Sequence, residues 1–239
     1  MHTNETKIRK GEKGFTLVEL AIVMIIIGLL ITGILKGQEM IANAQVTSTI
    51  SQLKGLDAAA NTFRDSFNAF PGDMANATTR LANCAAPCAD GADPSGRLDD
   101  GVGPVPASEG IQFFLHMLAA DLITGMDGTA PVTFGQSLPA ASVGGGFFVG
   151  HSSVAVGGFD DTNMRIGHYI VHNGTVDNVA ADTGAMVPTQ AARVDRKMDD
   201  GVPDTGSVHG TDAGNCHDGT VYNEDDDNTT CAIAVRIGS

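Results

Sequence analysis

Hydrophobicity changes character twice along the first 70 residues. Residues 1–14 are polar, and then Phe15 to Leu35 runs for 21 residues with a single charge, Glu19. As a helix that run rises about 31 Å at ~1.5 Å per residue, close to one hydrocarbon thickness. Past Leu35 the pattern turns amphipathic. Ile41, Ala44, Thr47/Ser48, Ile50/Ser51, Leu53, Leu56, Ala59/Ala60, Phe63 and Phe67 recur at intervals of three and four. This predicts one helix over 15–68, interrupted softly by Gly28, Gly33 and Gly37 and ended by Pro71-Gly72. Residues 75–110 read as loop. A second helix is expected over 108–123 with Ser108 as its cap. Short strands are expected at 146–149, 153–156, 165–171 and 231–237, punctuated by Gly, Asn and Asp. A long helix packed on a small antiparallel sheet is an α+β architecture. The expected organisation is a polar leader (1–14), a long helix (15–68, of which 15–35 is the membrane-type part) and a globular head (69–239).

Charge sharpens this picture. Lys plus Arg is 14 against 28 Asp plus Glu, a net charge of −14. Phosphate binding needs a basic face, so this balance argues against nucleic acid as a partner. The leader holds Lys7, Arg9, Lys10 and Lys13 against Glu5 and Glu12, a bias that keeps the N-terminus in the cytoplasm. A secretory signal would have a shorter apolar run and a small-residue cleavage site after it, whereas this chain continues as GQEMIANAQ. A plain anchor leaves Glu19 unexplained, because a carboxylate in a membrane helix is costly and marks function by default.

Lys13-Gly14-Phe15-Thr16-Leu17-Val18-Glu19-Leu20 resembles the class III leader of type IV pilins and type II secretion pseudopilins. The segment 63–74 (FRDSFNAFPGDM) is similar to a junction seen in pilin-like proteins. The resemblance implies a pilin-like α+β fold and a structural rather than enzymatic role. It implies cleavage between Gly14 and Phe15 by a prepilin peptidase, then N-methylation of Phe15. The apolar helix would first hold the subunit in the inner membrane, at an assembly platform, and then pack with copies of itself in a helical filament. Glu19 would pair with the Phe15 amine of a neighbouring subunit. That amine has a reference pKa near 8 and stays cationic when methylated. Only one axial stagger satisfies both groups, so the pair would set register. Loss of the leader leaves 10 basic and 26 acidic side chains, a net of −16.

An exported head meets an oxidising compartment, where disulfides persist. Cys216 and Cys231 bracket an acidic loop similar to the C-terminal disulfide-bounded loop of many pilins, and Cys84 and Cys88 are close enough to pair locally. The two other connectivities stay open. Major pseudopilins hold calcium in a C-terminal loop. That resemblance makes Asp195, Asp199, Asp200 and Asp204 candidate ligands, against a plain turn at Asp199-Asp200-Gly201. The segment lacks the EF-hand pattern, with Lys197 at its third position. No other cofactor is implied. Gly150-His151-Ser152-Ser153-Val154 falls short of G-x-S-x-G, and His168 and His172 lie four apart without the glutamate of a zinc-protease motif. Three readings follow: a surface pilin for adhesion, motility or uptake; a periplasmic pseudopilin; or a helix that only anchors a binding head.

Overall fold

The computed structural model describes residues 14–180 and 183–238. The leader residues before Gly14 therefore lie outside the described residues. The chain falls into two compact units divided after Ile41.

The first helix, α1, spans Leu17–Phe67. In the N-terminal unit every residue from Gly14 to Lys36 is exposed. Mean hydropathy reaches 2.7 over 18 residues there, enough in length and composition to cross a membrane. In the second unit α1 becomes one-sided. Val46, Thr49, Ile50, Leu53, Leu56, Ala60 and Phe63 are buried. The stripe starts later than the sequence pattern suggests, since Ile41, Ala44, Thr47 and Ser48 are exposed.

Asn68 takes a left-handed conformation (φ 51°) and Gly72 follows at φ 90°. A Cβ on Gly72 would lie 2.5 Å from the Glu109 carbonyl oxygen, so glycine is required where the chain turns under the next helix. His116 fixes that turn. Its Nδ1 accepts the Gly72 amide at 3.0 Å, which puts its proton on Nε2, 2.7 Å from the Ala89 carbonyl.

The head continues through α2 (Ala77–Arg80), α3 (Ser108–Ala119), β1 (Gly146–His151), β2 (His168–Asn173), α4 (Pro188–Met198), β3 (Val208–Gly210) and β4 (Ile233–Ile237). The sheet is antiparallel in the order β1-β2-β4-β3. The fold is α+β, as the periodicities imply. All of β1 is buried, and β4 sits between β2 and β3 with only Arg236 partly exposed. Phe63, Phe113, Phe114, Phe147, Phe148 and Tyr169 are fully buried where α1, α3 and the sheet meet. Burial of such a side chain stabilises by about 1.5–3 kcal/mol.

Four expectations need correction. Ser108 is not the cap of α3: Ala107 holds that position without a side-chain bond, and α3 stops at Ala119. Residues 153–156 are not a strand. The Val102 amide donates to the Ala155 carbonyl and the Gly157 amide to Val102, both at 2.8 Å, so this backbone pairs with a loop. The strand expected at 165–171 is β2, which starts later, at His168, and runs on to Asn173. Residues 188–198 form α4, a helix not expected from the sequence, and Asp195 at the start of the acidic segment lies on it.

Candidate functional site

In the N-terminal unit the start of α1 carries the chemistry. The Thr16 amide and hydroxyl each donate to Glu19 Oε2 at 2.8 Å, and the Glu19 amide donates to Thr16 Oγ1 at 3.2 Å. This is a reciprocal capping box, T-x-x-E, which satisfies two orphan donors of the first turn. The spacing is legible in the sequence, and it gives Glu19 a second task beyond any role in assembly. Gly14, Phe15, Thr16 and Glu19 are all solvent-exposed, Phe15 by 82%. Among the described residues, a Cβ on Gly14 would meet no atom within 4 Å. Gly14 and Phe15 thus present an open peptide bond just ahead of a capped apolar helix.

In the head, both disulfides join the pairs nearest in sequence. Cys84–Cys88 and Cys216–Cys231 have Cα separations of 5.2 and 5.0 Å. The second closes a loop of sequence separation 15, worth about 3 kcal/mol in the chain-entropy picture. Further bonds tie that loop to α4. Arg196 pairs with Glu224, and Thr189 Oγ1 donates to the Glu224 carbonyl at 3.0 Å. Tyr222 OH donates to Asp195 Oδ2 at 2.9 Å. On its other side α4 reaches the head part of α1, with Arg193 Nη1 donating to Asn43 Oδ1 at 2.7 Å and Lys197 Nζ to Thr47 Oγ1 at 3.1 Å. α4 therefore clamps the disulfide loop to the long helix.

The four acidic candidates separate. Carboxylate oxygens of Asp195, Asp199 and Asp200 lie within 4.8 Å of one another, whereas Asp204 groups with Asp212 and His217. The three-residue group is committed to the turn after α4. Asp195 accepts the Gly201 amide, Asp199 accepts the Ser207 and Val208 amides, and Asp200 accepts the Val202 amide and the Thr205 hydroxyl. These donors suit a turn held by its carboxylates, and Asp204 stands apart from it.

Asp195 is the unusual member. Burial pushes its carboxyl up to about 7, with the Tyr222 hydroxyl and Gly201 amide opposing the rise. A raised carboxyl pKa means that the folded state holds a proton the unfolded state gives up near pH 4. Its contribution to stability is present at low pH and is lost as pH rises to about 7. Comparing Asp195→Asn with the parent chain isolates this contribution. Between pH 5 and 8 the parent melting temperature should fall relative to that of the variant; parallel pH profiles would remove Asp195 as the cause. Tyr222→Phe leaves the buried Asp195 Oδ2 without its donor and should cost about 1–3 kcal/mol in denaturant unfolding.

The histidines of β2 are packed, not open. His168 Nε2 accepts the Leu98 amide at 3.2 Å, and its ring stacks on Phe70 at 3.9 Å. His172 Nε2 lies 2.8 Å from the Gly144 carbonyl. Burial lowers them to about 3 and about 4, so both are neutral near pH 7. Ser153 Oγ lies 2.7 Å from His151 Nδ1, but the Arg97 guanidinium also donates to that hydroxyl at 3.1 Å.

No curated protein and no solved structure matches the chain. The family model of the prokaryotic N-terminal methylation motif matches residues 9–35, a span that takes in Gly14, Phe15, Thr16 and Glu19 and most of the exposed apolar helix. Capped apolar helix and matched motif coincide, so the chain carries at its N-terminus the class III prepilin leader of the type IV pilins and pseudopilins.

Proposed function

We propose that the chain is a structural subunit of a type IV pilus-like filament. A prepilin peptidase cuts between Gly14 and Phe15, the new amine of Phe15 is methylated, and the helix holds the subunit in the inner membrane until an assembly platform adds it to the filament. The observation that carries this reading is the continuous exposure of Gly14 to Leu35 within the matched motif. So large an apolar surface is not tolerated in water and must be covered by lipid or by other helices. A homotypic filament supplies both covers in turn. The head, pinned by two disulfides and by α4, then forms the outer surface that serves adhesion, motility or uptake. Electron microscopy with immunogold against the head, on cells and on their sheared surface fraction, tests the reading. Labelled filaments micrometres long support a pilin. Label confined to the envelope, on a chain beginning at Phe15, moves the assignment to a secretion pseudopilus. Unassembled, leader-bearing chain would leave an anchored head.

A further inference from the structure

Three chain segments that share no helix or strand converge beside β3. Asp204 lies in the turn region after α4, Asp212 just past β3, and His217 next to the disulfide cysteine Cys216. His217 Nε2 is 3.6 Å from Asp204 Oδ1 and 3.5 Å from Asp212 Oδ1. The His217 side chain is 1% exposed and that of Asp204 9%. Both His217 Nε2 and Asp204 Oδ1 are buried without a hydrogen-bond partner. Buried polar atoms are rarely left so, and each orphan is costly. Here two of them face each other across a gap too long for a hydrogen bond. The gap has a recognisable size. Ligand atoms ~2.1 Å from a tetrahedral metal are separated by ~3.4 Å.

We propose that Asp204, Asp212 and His217 form a binding site for a first-row divalent cation of the zinc class. The imidazole selects the class. Calcium and magnesium take oxygen ligands, whereas one imidazole with two carboxylates suits zinc and its neighbours. The donors are held in place before any ion arrives. The Gly210 amide donates to the Pro203 carbonyl at 2.8 Å, the Asp212 amide to the Gly158 carbonyl at 2.9 Å, and Cys216 is tethered to Cys231. Asp212 has 47% of its side chain exposed, which provides an entry path and leaves a fourth position for water. A cation there joins the turn after α4 to the disulfide loop and relieves the opposition of two neighbouring carboxylates.

Binding has a local signature. His217 Nδ1 accepts the Gly219 amide at 3.0 Å, an arrangement that places the ring proton on Nε2. A cation takes the Nε2 lone pair only when the proton resides on Nδ1 instead, and that opens the Gly219 contact. Metal uptake should therefore speed amide exchange at Gly219 while raising the melting temperature of the whole head.

The test uses the full chain in detergent, stripped by chelator and titrated with zinc chloride or, separately, calcium chloride. The expected result is one retained zinc per chain, a higher melting temperature with zinc, and faster exchange at Gly219. Asp212→Asn should bind zinc more than about tenfold more weakly, with a metal-free melt no lower than the parent's because a neighbouring like charge is gone, and His217→Gln should show the same loss of affinity. Absence of retained zinc, equal zinc affinity in the parent and both variants, or stabilisation by calcium alone would each overturn the proposal. None of these readouts depends on filament assembly.

Discussion

Glu19→Gln is expected to leave leader removal intact and to abolish filament assembly. Glutamine is the informative replacement because Glu19 has two candidate roles that alanine would remove together. In the isolated chain its carboxylate accepts from the Thr16 amide and hydroxyl in a capping box. Glutamine serves that box equally well, so the helix start survives. What glutamine lacks is charge. In a filament core, Glu19 would be desolvated opposite the Phe15 amine of a neighbour, and removal of one partner from a buried pair costs about 3–5 kcal/mol because the other is left alone. At ~1.4 kcal/mol per tenfold, each subunit addition becomes more than ~100-fold less favourable. Sheared-filament yield and negative-stain microscopy measure the effect. Parental yields from Glu19→Gln would reduce Glu19 to a cap. Thr16→Val is the converse control: it removes the capping hydroxyl, keeps the charge, and should cost only ~1 kcal/mol of helix stability.

Legibility of this chain followed the range of the forces involved. The long helix was readable because its signals are local: an uninterrupted apolar run, a three-and-four stripe, and a Pro-Gly stop. The T-x-x-E box at Thr16 was equally local and marks the helix start. α4 is hard to read from sequence because its buried stripe holds two alanines and an aspartate, Ala191, Ala192 and Asp195, around the single branched apolar residue Val194. Its best local sign was Pro188 at the first turn, with the Gln190 side chain accepting the Val187 amide at 3.2 Å. Residues 153–156 show the opposite error. Their valines suit a strand, yet tertiary pairing with Val102 took up the backbone groups a strand would have offered to the sheet. The convergence of Asp204, Asp212 and His217 was beyond sequence reasoning, because it needs the β3–β4 pairing and the Cys216–Cys231 bond to bring it about.

Gly14→Leu is expected to block maturation altogether, and the structure makes that outcome interpretable. Among the described residues nothing lies within 4 Å of a Cβ at residue 14, so the substitution strains no contact with the helix or the head. A loss of processing is then expected to arise where a peptidase approaches the Gly14–Phe15 bond. Intact-mass measurement on membrane fractions should find the full precursor, unmethylated, and immunoblots should find no sheared filament. Mature chain beginning at Phe15 in this variant would sink the processing claim. The variant also bears on Glu19 from the other side. An uncut chain has no Phe15 amine, and its charged leader residues Lys7, Arg9, Lys10 and Lys13 sit ahead of the helix that should enter the core. Gly14→Leu thus withholds the cation and Glu19→Gln withholds the anion of one pair. If register rests on that pair, both variants fail to assemble, and only the glutamine variant does so with its leader removed.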